Sequence, residues 1–236
     1  MIIIKTIVLC GGRGLRINEL TETVPKPLIE VCGKPILYWI CNQFKLYGFN
    51  DFIFCLGYKG NKIKEYFKKT KFNIKFVNTG TNSTKAQRLI KVKKYIKEKT
   101  FFLTYGDDIC HVDIKDLIKF HTEQTSSYNR LATLVTVRYP ASFGIIRHVP
   151  FGKIMSFEEK PLLDIFINGG YYVLEKRMLK YLSSEHEFEE YTINKLIDMR
   201  KICAYDFEGF WKSVNTIKDV QELNEQCKIL KNPDTK

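Results

Sequence analysis

LCGGRGLRINELTETVPKP, Leu9 to Pro27, is the stretch on which the reading of this 236-residue chain turns. Three glycines, Gly11, Gly12 and Gly14, lie directly behind the apolar run IKTIVLC (4–10). Glycine reaches backbone conformations closed to other residues and lets another group approach closely. Successive backbone N–H groups in such a turn can cradle an anion. The spacing is neither G-x-x-x-x-G-K-[ST] nor a strict G-x-G-x-x-G. On glycine spacing alone, a phosphate-binding turn and an ordinary strand-to-helix turn both stay open. The companions favour the anion: Arg16 follows the turn, and Lys26 stands between Pro25 and Pro27, which stiffen the backbone on both sides of it.

Outward from this stretch, apolar runs of strand length alternate with helical patterns. Strands are expected over 4–10, 49–58, 73–80, 100–109 and 131–139, with helices over 37–48, 59–69, 84–96 and 113–124. Repeated β-α-β alternation predicts a Rossmann-like α/β fold, a mostly parallel central sheet flanked by helices. Past residue 140 the pattern changes, and FGIIRHVPFGKIMSFEEKP suits a small β-hairpin turning at Pro150–Gly152. No long linker interrupts the chain. It reads as one domain: 1–140 for the ligand side of the glycine turn, 141–230 for a second substrate and a closing helix, and 231–236 as a frayed tail.

LCGGRG, TGTNS and YGDDI all fall at strand ends, where parallel sheets bind ligands. In YGDDI, Asp107 is the expected magnesium ligand because the Gly-Asp step ends the apolar run; a lone turn or cap aspartate is the competing reading. FEEKP (157–161) repeats the Lys-Pro device at Lys160.

The bulk properties narrow the class. Hydrophobic residues make up 44% and charged residues 27%, as in globular enzymes. The net charge of +12 reads as scattered solvated lysines rather than a nucleic-acid surface, since no RNP, zinc-finger or GXXG motif appears. MIIIKTIVLC reads as a buried first strand rather than a leader, and no run is long enough to span a membrane. Seven cysteines at 10, 32, 41, 55, 110, 203 and 227 form no C-x-x-C pair and lie mostly in apolar runs; free thiols in a reducing cytoplasm are expected.

Together, GGRGLRI, PKPLIEVCGKPIL, FLTYGDDICHVDI, SFEEKP, INGGYYVL and GFWKSVNTIKD resemble the sugar-nucleotidyltransferase family, in its CTP-using branch, over nearly the whole chain. The resemblance implies transfer of a nucleotidyl group from CTP to a small phosphorylated acceptor, with Mg²⁺ and release of pyrophosphate, by a homodimer with no nucleic-acid or membrane partner. It implies that Leu9, Gly11, Gly12, Arg16, Lys26, Arg88 and Gly106 bind the nucleotide, with Lys26 and Arg16 catalytic. It further implies that Asp107 and Asn215 face the metal, and that Glu159, Lys160, Asn168 and Gly169 bind the acceptor.

Departures from the family pattern cluster. Leu15 replaces a threonine of the glycine motif, Asn215 replaces a metal-binding aspartate, and KAQRL (85–89) stands for T-G-G-R-L. Asp108 and Asp219 are carboxylates able to compensate at the metal. A compact relative of this branch, from bacterial capsule phosphoramidate biosynthesis, takes L-glutamine phosphate. That acceptor is the expectation here, with a hexose 1-phosphate as the alternative.

Overall fold

The structure is a computed structural model and describes residues 4–14, residue 17 and residues 21–231. Its first strand, β1 (Thr6–Leu9), is buried on both sides: Ile7 and Val8 are fully inaccessible and point to opposite faces. A small hairpin follows, β2 (Glu30–Val31) and β3 (Lys34–Pro35). Its two turn residues, Cys32 and Gly33, have φ of 53° and 77°, the left-handed pair of a type I′ turn.

Helix α1 (Ile36–Leu46) then packs Ile36, Leu37, Ile40 and Phe44 inward at three- and four-residue spacing. The chain continues through β4 (Asp51–Leu56), α2 (Gly60–Phe67), β5 (Asn73–Asn78) and α3 (Lys85–Val92). Thr84 caps α3 through a reciprocal pair of bonds with Gln87. Strand β6 (Thr100–Tyr105) stops at Gly106, and β7 (Asp108–Cys110) starts a different ladder. The expected single strand over 100–109 is therefore two. The break lies where a Cβ on Gly106 would come within 3.0 Å of the Cys10 Cβ, so a glycine lets the chain pass close to the end of β1 there.

Helix α4 (Ile114–Tyr128) is capped by Asp113 and ends at Asn129, which is left-handed. It leads to β8 (Ala132–Pro140), the hairpin β9 (Ile145–His148) and β10 (Ile154–Glu158), and the long β11 (Leu162–Glu175). A π-turn segment at Phe188–Ile193 runs into α5 (Asn194–Asp198). The chain then forms β12 (Ile202–Phe207), β13 (Trp211–Ser213), α6 (Ile217–Glu225) and α7 (Cys227–Lys231).

Seven strands form the central sheet in the order β12-β8-β11-β6-β1-β4-β5. Every adjacent pair is parallel except the two that involve β11. The sheet is covered on both faces, as the α/β expectation requires. One apolar cluster gathers Val8, Phe44, Phe54, Phe102 and Tyr171; the other gathers Ile7, Ile53, Leu89, Leu103 and Phe188. Among the described residues no helix is long and apolar enough to cross a membrane.

The expectation that all the cysteines are free thiols is corrected in one place. Cys32 and Cys227 are bonded, 195 residues apart, and join the β2–β3 turn to α7. The pair escaped notice because neither sits in a C-x-x-C motif and their proximity is purely tertiary. Cys10, Cys41, Cys55 and Cys110 are free and buried, as small hydrophobes are.

Candidate active site

The carboxyl ends of β1 and β6 open onto a cavity of about 440 Å³. Leu9, Gly12, Gly14, Lys26, Thr81, Asn82, Gly106, Asp107 and Asn215 line it. The glycines divide their work. A Cβ at Gly12 would meet nothing within 4 Å, so this backbone lies open to the cavity. Gly11 instead faces inward: a Cβ there would fall 2.2 Å from the Arg88 guanidinium and 2.7 Å from the Gly57 nitrogen. Gly14 has a φ of +67° and lies against the Lys26 side chain.

Lys26 opens a short 3-10 turn, Lys26–Leu28, behind Pro25, whose φ is −65°. Its side chain is 8% exposed. The ammonium donates to Asp107 Oδ2 at 2.6 Å and to Asn215 Oδ1 at 3.0 Å. Three chain segments far apart in sequence thus meet at one nitrogen. Behind them, β13 pairs with β7 so that Ser213 lies opposite Asp108, and the Val214 N–H donates to the Asp107 carbonyl. Asn215 is held by its own contacts: its Nδ2 donates to Ser213 Oγ, and its backbone N–H to Asp219. Asp219, in turn, caps α6 and pairs with Lys212, which together with the donated N–H groups holds its carboxyl below its ordinary value against the opposing effect of burial.

Asp108 is the buried member of the aspartate pair. Burial first, and the neighbouring Asp107 second, push its carboxyl up to about 7. It faces Gly170, where a Cβ would come within 2.3 Å of its Oδ2. Asp219 is engaged elsewhere, while Asp108, against Gly170 of β11, also lines a second cavity beside Asp107.

A metal ion's fit can be judged from the donor set. Asp107 Oδ2 and Asn215 Oδ1 are hard oxygens converging on one point, now taken by the Lys26 ammonium. One carboxylate and one amide oxygen, completed by phosphate oxygens, suit magnesium. Among the described residues no cluster of three or more His, Cys, Asp or Glu forms a protein-only metal cage.

A second cavity of about 520 Å³ adjoins the first and shares Leu9, Gly12, Thr81, Asn82, Asp107 and Asn215 with it. Its other walls include Ser83, Lys85, Arg88, Tyr105, Glu187 and Ser213. Arg88 lines it, but its guanidinium is committed to the protein. It donates to Thr79 Oγ1 at 2.7 Å and to the carbonyls of Gly11, Thr81 and Leu56 at 3.1, 3.2 and 3.4 Å. Burial lowers its pKa from the ordinary arginine value. Arg88 therefore ties the glycine turn to the ends of β4 and β5.

On the opposite wall, Lys85 pairs with Glu189, which also accepts from the Tyr105 hydroxyl. Tyr105 meets Tyr172 hydroxyl to hydroxyl at 2.9 Å, and Asn168 donates to Tyr172. The Asn168 Oδ1 accepts the Gly170 N–H at 2.8 Å. A continuous polar chain thus runs from the first turn of α3 to β11. Lys85, Tyr105, Glu187 and Glu189 belong to this site and were not singled out from sequence. Lys85 and Tyr105 flank motifs already quoted, but the glutamates arrive on the π-turn segment, which carries no local signal.

The remaining expected residues are placed as follows. Gly169 lies under Trp211, whose indole N–H donates to its carbonyl at 2.9 Å. Glu159 and Lys160 sit at the base of the β9–β10 hairpin, more than half exposed, with Lys160 3.6 Å from Glu159. Neither lines the two cavities. Leu15 and Arg16 lie outside the described residues.

Comparison with known proteins identifies the family of the chain. The family profile described as "Nucleotidyl transferase" matches residues 5–228. The "Probable glucose-1-phosphate cytidylyltransferase" of Bacillus subtilis (strain 168) is 34% identical, covering 94% of this chain and 95% of its own. The glucose-1-phosphate cytidylyltransferase of Salmonella typhi is 33% identical, covering 91% and 92%. In fold, the chain resembles the crystal structure of HddC from Yersinia pseudotuberculosis complexed with GMP-PN. The TM-score is 0.71 at 22% identity, over 95% of this chain and all of that one.

Proposed function

The chain belongs to the nucleotidyl transferase family, and from that premise we propose that it is a cytidylyltransferase joining CTP to a small phosphorylated acceptor. The observation that carries this is the Lys26 ammonium, buried between Asp107 and Asn215 at the floor of a glycine-walled cavity. Fixed charge aimed at a phosphoryl group is the main catalytic resource for such transfers.

In this reading the open backbone at Gly12 receives the triphosphate, with Leu9 and Gly106 beside the nucleoside. Lys26 neutralises charge on the α-phosphate as an acceptor phosphate oxygen attacks in line and pyrophosphate leaves. Asp107 and Asn215 would hold Mg²⁺ once the Lys26 ammonium turns from them to the phosphate, and the ion would supply further neutralisation of the phosphates. Arg16 adds a second cation from the glycine turn. Arg88 acts by fixing Gly11 and Thr81, the two sides of the nucleotide cleft.

L-glutamine phosphate is the acceptor we propose, as used in capsule phosphoramidate biosynthesis. Lys85 and Glu189 form an opposed cation and anion beside the second cavity, a pairing suited to an acceptor with both a carboxylate and an ammonium group. Asn168 reaches this wall through Tyr172 and Tyr105, whereas Gly169, Glu159 and Lys160 lie outside both cavities and would have to meet the acceptor from beyond them. The second reading is glucose 1-phosphate, favoured by the names of the relatives at 33–34% identity. Both place the protein in the cytoplasm with a single nucleotidyltransferase domain. A pyrophosphate-release assay with Mg²⁺ and CTP, run over L-glutamine phosphate, glucose 1-phosphate and other hexose phosphates, tests them. Release with L-glutamine phosphate is expected. Turnover only with glucose 1-phosphate would replace the acceptor, and no release with any acceptor would remove the enzymatic reading.

A further inference from the structure

Residues Glu22–Pro25, which lead into Lys26, belong to no helix or strand. The Lys26 ammonium rests on Asp107 and Asn215 and has to leave them to reach a phosphate. The backbone beneath it must then keep its place without those two contacts.

The junction of β4 and α2 supplies the hold. The Tyr58 hydroxyl donates to the Thr21 carbonyl at 3.2 Å. The Lys59 ammonium donates to the same carbonyl at 3.0 Å and also to that of Glu22. The Lys62 ammonium donates to the Thr23 carbonyl at 2.7 Å. Three consecutive carbonyls thus receive side-chain donors from five residues of chain. The same junction grips the glycine turn. The Tyr58 N–H donates to the Gly11 carbonyl at 3.0 Å, and the guanidinium of Arg13, on the first cavity's wall, lies 6.0 Å from the centre of the Tyr58 ring. The support is rigid, because Ile63 and Phe67 of α2 are buried in the core.

Two observations give these donors a task beyond satisfying carbonyls. Glu22 and Thr23 are exposed, so water would serve their carbonyls as well; the lysines add position rather than solvation. Lys59 also has a φ of +47°, in the left-handed region that suits glycine and strains other residues. A strained lysine whose ammonium is spent on two backbone carbonyls points to a role for its side chain.

We propose, resting on the reading of Lys26 as the α-phosphate cation, that Tyr58, Lys59 and Lys62 form a clasp on Gly11 and Thr21–Thr23. It keeps the stem of Lys26 fixed while the side chain turns to the phosphate. None of the three lines either of the adjoining cavities, so they are positioning residues that act through Lys26.

Lys59→Gly separates this role from fold stability. Glycine suits the left-handed φ, so the melting temperature should stay level or rise. In CTP-dependent pyrophosphate release, kcat should fall about tenfold, and about 100-fold with Lys62→Met added, the scale of a misplaced catalytic group. The KM for CTP should move less than about threefold, since no contact with the nucleotide is lost. Lys59→Arg with Lys62→Arg keeps both donors and should hold kcat within about threefold of wild type. Hydrogen exchange reads the clasp without substrate: the peptide spanning Thr21–Lys26 should exchange at least about tenfold faster in Lys59→Gly, Lys62→Met. Should Lys59→Gly misfold, Tyr58→Phe, which loses one hydroxyl and keeps the ring, should lower kcat about threefold. Unchanged exchange, an unchanged kcat, or a loss of kcat equally deep in the arginine variant would each overturn the proposal. A wild-type chain inactive with every acceptor would instead overturn the cytidylyltransferase reading beneath it.

Discussion

At the scale of single residues, the site is governed by which polar atoms have a second task. Lys26 has Asp107 and Asn215 to hold its ammonium in place, so Lys26→Ala should leave the fold standing. It should cost turnover about two orders of magnitude or more, the usual loss of one transition-state charge donor. A near-wild-type kcat would remove Lys26 from the chemistry. Arg88 is the opposite case. Its four acceptors are protein atoms, and Arg88→Gln would remove the buried bonds that tie Gly11 and Thr81 to β4, although the Gly11 and Leu56 carbonyls keep the Tyr58 and Thr79 N–H groups. Chemical denaturation should report a loss of about 2–4 kcal/mol without any ligand present. An unchanged denaturation midpoint would return Arg88 to the nucleotide as a simple ligand. Asn215 has both kinds of task, since its oxygen faces Lys26 while its Nδ2 donates to Ser213. Asn215→Asp should lower the Mg²⁺ concentration needed for half-maximal rate; an identical titration would place this side chain away from the metal.

At the scale of elements, several pieces serve to bring distant residues within reach. The β7–β13 ladder delivers Asn215 to Asp107, and the Cys32–Cys227 bond fixes α7 against the turn that follows Lys26. Closing a loop of 195 residues restricts the unfolded chain strongly. Cys227→Ser should therefore lower stability by up to about 5 kcal/mol. Thermal melts with and without dithiothreitol check this, since wild type should fall toward the variant on reduction and the variant should not move. Equal melting temperatures throughout would show that the bridge contributes nothing.

At the scale of the whole molecule, acid should unfold the protein partly through two histidines, the buried His121 and the half-buried His111. Burial pushes His111 and His121 down to about 4, with His121 also held between Thr133 and Glu175. The unfolded chain would titrate them near 6.5, so it binds more protons between those values. Their contribution is complete above about pH 6.5 and is lost as pH falls toward 4. Thermal melts should show the wild-type transition dropping across this window and the drop partly relieved in His121→Gln. An identical slope in the variant would assign the acid sensitivity elsewhere.

Legibility followed the range of the forces involved. The alternation of Ile7 and Val8, the inward stripe of α1 and the Thr84 cap are local, so strands, helices and the parallel majority of the sheet could be read from pattern alone. Lys26 and Asp107 were legible because proline and glycine mark their backbones. The sequence by itself therefore determined the α/β architecture, the glycine turn and the Lys26 and Asp107 beside it, because periodicity and backbone restriction act over a few residues. Only the tertiary structure decided that Gly11 packs against Arg88, that Glu189 joins Lys85 and Tyr105, and that Cys32 finds Cys227. Each of these joins atoms separated by 77 residues or more. Their meeting depends on how the sheet orders its strands, which no local pattern encodes.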